Sequence, residues 1–168
     1  KLPESTHIAI NLLNEALGNN KLYSAEADNT ELMPLSTSAE MDSLVQAMAG
    51  GRVGVVVHFD TNPVYNLSPE YKYEEAVKKV PMSITLTEQA NETSEASNYV
   101  LPIHNQLEAW NDFKTRTGFY SMQQPIIAPL YNTRQKEAIL LNWKEPKEFT
   151  ETLYKDYLSA NWEKVIYP

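Results

Sequence analysis

The sequence predicts an α/β fold: a mostly parallel, Rossmann-like sheet with helices on both faces. Three observations carry this. Val53-Gly-Val-Val-Val-His-Phe59 is near-continuously apolar and β-branched, which suits a strand buried on both faces of a parallel sheet. Pro81–Thr87 and Tyr99–Leu101 read as two further strands, each preceded by a helical stretch. Strand, helix, strand, helix, strand is the alternation of a doubly wound sheet. Right-handed crossovers then gather the loops 58–63, 88–93 and 102–112 on one edge.

Each element has its own signal. Ile8, Ala9, Leu12, Leu13, Ala16 and Leu17 recur at helical spacing, with Ser5 or Thr6 as a cap and Gly18 as a stop. Lys21–Ala25 reads as a short strand and residues 26–36 as polar loop. Thr37-Ser-Ala-Glu40 is a capping box ahead of Met41, Leu44, Val45 and Met48, and Gly50-Gly51 ends that helix. Ser68-Pro69 opens a helix to about Lys79, with Pro at its first position, and Glu92–Ser97 is a short helix. Beyond Gly118, Ser121–Tyr131 reads as extended chain, and Thr133–Trp143 and Glu148–Leu158 as helices. The expected division is a Rossmann-like domain over 1–145 and a C-terminal helix and tail over 146–168.

Composition narrows the chemistry. A chain of 168 residues suits one domain with trailing segments. It contains no cysteine, which excludes disulfides, iron–sulfur clusters and thiolate zinc sites within it. A net charge of −8 argues against a general nucleic-acid surface. No apolar run approaches the roughly 20 residues that span a bilayer, so no direct membrane insertion is expected. The start at Lys1 suggests a piece of something longer. In that case some apolar surface is left uncovered, with Trp143, Trp162, Pro125 and Pro129 as its candidates.

The densest polar stretch follows the third strand: His104, Glu108, Trp110 and Asp112, with Arg116 beyond. If residues 104–112 are helical, His104, Glu108 and Asp112 share one face. A histidine with two carboxylates is competent for acid–base chemistry or for a metal; the same spacing also marks an ordinary surface helix. Trp110 points away from that face and anchors packing. In the first loop, Asn62 and nearby backbone amides suit a polar ligand, or simply an Asn-Pro turn. Phe59 and Asp60 stand where a dinucleotide loop wants glycine, and the Asp60 carboxylate opposes a phosphate. In the second loop, Glu92 and Thr93 fit a helix start. His7, His58 and His104 are scattered, and no nucleophile elbow or P-loop is present.

Taken together, three segments resemble a known family. They are Asn62-Pro63 with Tyr65; Glu92-Thr93 leading to Tyr99-Val-Leu-Pro102; and His104-x-x-Leu107-Glu108-x-Trp110-x-Asp112 with Gly118 and Gln124-Pro-x-Ile-x-Pro-Leu-Tyr131. The order resembles the molybdopterin oxidoreductase family, most closely the B-subunit branch of alternative complex III, a fused molybdopterin-oxidoreductase-like and iron–sulfur protein. Asn11-x-Leu13-Asn14-x-x-Leu17-Gly18-Asn19 fits the same branch, and the resemblance covers about residues 7 to 141.

The resemblance implies one Rossmann-like domain of a large respiratory oxidoreductase subunit, in a complex passing electrons from quinol to a periplasmic acceptor. Positions matching those that touch a pterin guanine dinucleotide are Asn62, Glu92, Thr93 and His104. No catalytic residue and no metal ligand is expected here. The branch is described as lacking the molybdenum cofactor, which implies a cofactor-free scaffold; the alternative is a genuine molybdopterin guanine dinucleotide domain. Asn111 departs from the Gly of the family's Trp-Gly-Asp turn. Iron–sulfur clusters would lie elsewhere in the full-length protein. Partners would be other domains of that subunit and other subunits of a membrane complex, peripheral on the periplasmic side of the bacterial inner membrane. An independent hydrolase using His104, Glu108 and Asp112 would instead bring those side chains together in one pocket.

Overall fold

The computed structural model describes residues 2–22, 35–116, 118–146 and 149–167, apart from the side chains of Thr115 and Arg116. The chain divides into two compact units, Lys1–Met33 with Phe113–Ser121, and Pro34–Asp112 with Met122–Pro168.

The first unit holds helix α1, Glu4–Ala16. It begins earlier than expected, from an extended Pro3 and without a side-chain cap, so neither Ser5 nor Thr6 caps it. Proline donates no N–H, and its fixed φ suits the entry to a helix. Gly18 (φ +70°) supplies the left-handed residue past the end, as the sequence predicts. None of its residues is buried, and Ile8, Leu12, Leu13 and Leu17 are all exposed. Asn19–Leu22 is a 3-10 turn rather than the start of a strand; the rest of that expected strand, and most of the loop after it, lie outside the described residues. Strands β4 (Asn111–Arg116) and β5 (Phe119–Gln123) pair as a two-stranded ribbon about Gly118, whose φ of +73° favours glycine.

The second unit is the α/β layer. Strands β1 (Val55–Phe59), β2 (Met82–Thr87) and β3 (Tyr99–Pro102) lie in that order, all parallel. The register sets Val57 beside Ile84 and Ile84 beside Tyr99. Alternation then puts Val56, His58, Ser83 and Thr85 on one face, and Val57, Phe59, Ile84, Leu86 and Leu101 on the other. Over the first face lie α2 (Ser38–Ala49) and α4 (Tyr73–Val77), whose Val45, Met48, Ala76 and Val77 form a core with Val80. Burying each of these larger side chains is worth roughly 1.5–3 kcal/mol. The capping box of α2 forms as expected, Thr37 and Glu40 each holding the other's backbone N–H.

Over the second face, Ile139 of α6 (Lys136–Lys144) packs on Leu86 and Ile103. Helices therefore lie on both faces, but unevenly. Val55, Val57, Met82 and Tyr99 remain exposed at the amino-terminal half of that second face. The expectation that β1 is buried on both sides thus fails: it is an edge strand, and α6 covers only the other end.

Special backbone positions shape the remaining helices. The helix expected over 68–79 is broken at Lys72, which adopts φ +51°. Pro69–Tyr71 is a 3-10 turn capped by Ser68, and the break starts α4 with Tyr73 aimed into the core. A short helix, α3 (Pro63–Asn66), precedes it, and α5 is Glu92–Glu95, capped by Asn91. Helix α7 runs Leu153–Val165, later than expected, and buries Tyr154, Leu158 and Trp162. Trp162 is therefore core rather than exposed surface. Pro125 and Pro129 are half-buried, and the exposed large apolar residues of the strap 124–131 are Ile126, Ile127, Leu130 and Tyr131. Trp143 is exposed, as expected.

Candidate functional site

Parallel strands end on a common edge, and the three loops do gather there. Asp60 N–H donates to the Leu86 carbonyl and Ile103 N–H to that of Thr87, extending the ladder just past the strands. Asn62, after β1, meets α5, after β2. Its Oδ1 accepts from the Thr93 hydroxyl at 2.7 Å and from Thr93 N–H at 3.2 Å; its Nδ2 donates to Glu92 Oε2 at 2.7 Å. The Thr93 hydroxyl in turn accepts from Val64 N–H at 3.0 Å, and Thr93 is wholly buried. The Asn62 amide, more than any other group, holds the Glu92 carboxyl below the usual range. The third loop is tied in by Asn105, whose Nδ2 donates to Glu88 Oε2 at 2.7 Å.

Three of the residues singled out from the sequence, Asn62, Glu92 and Thr93, thus form one cluster, with their polar atoms directed at one another. His104 stands apart, on the third loop. Its Nδ1 lies 2.6 Å from the Thr133 hydroxyl and 4.0 Å from Glu108 Oε2. Burial pushes the imidazole below its ordinary pKa, Glu108 opposing and Arg134 reinforcing that shift. The ring lines two adjoining cavities of about 420 and 460 Å³, walled also by Pro129, Gln135 and Glu151.

Glu108 is buried and serves the backbone. Its Oε2 accepts from Asn105 N–H at 3.1 Å and its Oε1 from Leu130 N–H at 2.9 Å. Asp112 does not join it. Residues 104–112 are not helical: Asn105 caps a 3-10 turn over Gln106–Glu108, Ala109 is extended, and β4 follows. The Asp112 carboxylate accepts instead from Trp162 Nε1 at 2.7 Å, within the α7 core. Burial first, then the carboxylates of Glu137 and Asp112, push the Tyr154 hydroxyl there up to about 12. Trp110 packs against that same cluster, as expected. The convergence required of a three-residue hydrolase site is therefore absent. Among the described residues, no group of three His, Asp or Glu side chains is placed to hold a metal ion.

Lys136 also belongs to this edge, which its place in the sequence does not reveal. From α6 its ammonium reaches Asp60 Oδ2 at 2.5 Å and lies over the Phe59 ring, 5.7 Å from its centroid. Asp60 is thus a paired carboxylate, which weakens the repulsion expected from it toward an anionic ligand. The signal available in sequence was slight, a lone lysine at the start of a helix 76 residues away. Chemically, the edge presents an imidazole, hydrogen-bonded to the Thr133 hydroxyl, beside a cavity and an interlocked polar cluster.

No family model matches the chain. A stretch of 80 residues, 45% of this chain, is 31% identical to a protein of Nitratidesulfovibrio vulgaris strain Hildenborough, and the match covers 12% of that protein's length. This supports a molybdopterin-oxidoreductase-like relationship, since the relative is a "Menaquinone reductase, molybdopterin-binding-like subunit".

Proposed function

We propose that this chain is a scaffold domain of a large respiratory oxidoreductase subunit, of the kind found in alternative complex III, and that it holds its neighbours in register without binding a cofactor. The interlocked Asn62–Thr93–Glu92 cluster is the observation that carries this reading. Groups that would have to face a pterin dinucleotide are satisfied within the protein, and no glycine lies in these loops to let a pyrophosphate approach the backbone. The similarity to a menaquinone reductase subunit supports a place in a multi-subunit quinone-linked complex. In this proposal the complex lies on the periplasmic side of the bacterial inner membrane. Iron–sulfur clusters and the electron path would then belong to other parts of that assembly.

A second reading, a pterin guanine dinucleotide domain, is favoured by one observation: His104 borders open cavities rather than packed core. One measurement separates the two. Purified full-length protein is denatured in acid with iodine, and the fluorescence of released oxidised pterin is quantified. The scaffold reading expects no signal above background; a signal stoichiometric with protein overturns it.

A further inference from the structure

His58 is a buried titratable group that the rim chemistry does not use. It lies in β1, almost wholly buried, with both ring nitrogens hydrogen-bonded: Nε2 to the Tyr73 hydroxyl and Nδ1 to the Thr85 hydroxyl, each at 2.9 Å. Thr85 Oγ1 is 2.7 Å from Ser97 Oγ, and Ser97 donates to the Thr93 carbonyl at 2.8 Å.

For a neutral ring, these contacts set the direction of every proton. A carbonyl only accepts, so the single Ser97 proton goes to Thr93. Ser97 must then accept from Thr85, and Thr85, its proton committed, must accept from His58 Nδ1–H. That leaves Nε2 bare, and Tyr73 donates to it. With the imidazole neutral, the chain Tyr73, His58, Thr85, Ser97, Thr93 runs one way without a break.

We infer that His58 is an acid-sensitive latch: a proton taken up at Nε2 sets two donors against each other and releases α4 from β1. The protonated ring would face the Tyr73 O–H, whose hydrogen would have to turn into the apolar core around Val45, Met48 and Val77. Among the described residues, Tyr73 is the one titratable side chain hydrogen-bonded to His58, and Tyr71 packs on the same cluster. The carboxylates and ammonium of the surrounding elements, Glu40 and Asp42 on α2, Glu74 and Glu75 on α4 with Lys78 just past its end, and Glu92 and Glu95 on α5, are exposed. None faces the ring to stabilise its charge. Burial pushes the imidazole below its ordinary value, opposed more weakly by the Ile84 carbonyl, and burial pushes the Tyr73 hydroxyl up, so that it stays a donor. The latch is therefore closed above the unfolded-state value of about 6.5 and opens as pH falls below it.

Amide exchange of Ala76, Lys78 and Val80, corrected for intrinsic chemistry, reports the opening. The whole chain is expected to open at least about tenfold more often at pH 5 than at pH 8. His58→Gln, which keeps hydrogen-bonding capacity without titrating, is expected to lose that dependence. Should that variant not fold, Tyr73→Phe, lacking the donor, is expected to open at pH 8 nearly as often as the wild type at pH 5. Nitrogen NMR of the wild-type ring at pH 8 is expected to show Nδ1 protonated and Nε2 bare. A Nε2–H tautomer, a pH-independent wild type, an unaltered pH response in His58→Gln, or a Tyr73→Phe indistinguishable from the wild type would each overturn the latch.

Discussion

The first two loops at the sheet edge and the third differ in how they treat their polar groups. Asn62, Glu92 and Thr93 bind one another across the gap between β1 and β2, and little is left to offer a guest. In the third loop, the carboxylate of Glu108 faces inward to hold two backbone amides, while His104 sits at the wall of open cavities. Similar residue types, a short distance apart, produce a lock in one place and a lined opening in the other. What decides is the number of backbone groups left over: two loops side by side can satisfy each other, whereas the third must also hold the long strap ending at Tyr131.

The sharpest way to break this contrast is to remove the carboxylate that holds the strap. Glu108→Ala leaves Asn105 N–H and Leu130 N–H without their charged acceptor, and each orphan costs about 1–3 kcal/mol. A loss of roughly 3 kcal/mol in urea unfolding is expected, with easier proteolysis near Leu130. A midpoint unchanged from wild type would mean the carboxylate is not the strap's anchor. Thr93→Val tests the lock. It keeps the shape but orphans Val64 N–H and removes a donor to Asn62, an expected loss of about 2 kcal/mol. Added pterin is expected to leave the melting temperature of the wild type where it was; a shift confined to Thr93→Val would show that the lock is what excludes it.

How far the sequence foretold these regions depends on the separation of the partners. Thr37 and Glu40 cap a helix from three residues apart, and Gly18 ends one locally, so both were legible. The gathering of the three loops followed from strand order and handedness alone. Half of the role of Glu108 was equally local, since Asn105 and Glu108 stand at the same capping-box spacing; the other half was hidden because Leu130 lies 22 residues downstream. Asp112 was misread for the same reason: Trp162 claims its carboxylate from 50 residues away. The exposure of Val55 and Val57 was equally invisible, since composition reports what a strand could bury and says nothing of whether a helix covers it. His58 had a faint signature, a polar ring in an apolar run, on the face shared with Ser83 and Thr85.

His104 offers a gentler probe of the open side. Its folded pKa is lowered, so the unfolded chain binds more protons near pH 6 and stability rises with pH there. The contribution is fully present above about 6.5 and is lost as pH falls toward the folded value. His104→Asn is expected to flatten part of the acid limb of a stability–pH curve measured by urea unfolding. His58 acts in the same direction from a more buried position, so the slope that survives in His104→Asn should exceed the slope removed. A limb abolished outright by His104→Asn would reverse that ranking of the two histidines.

The smallest effect belongs to the ion pair across the first loop. Lys136 and Asp60 are partly exposed, with side chains 28% and 39% accessible, so solvent and salt screen most of their attraction. Lys136→Met keeps the packing over the Phe59 ring and removes the charge, for an expected loss of about 0.5 kcal/mol or less in water and less still in 1 M salt. The same substitution separates fold from electrostatics at this edge. With the cation gone, Asp60 stands unpaired and the first loop becomes less hospitable to an anion. A phosphate that shifts the melting temperature of the wild type but not of Lys136→Met would show that the ammonium, rather than the interlocked loops, controls what approaches the sheet.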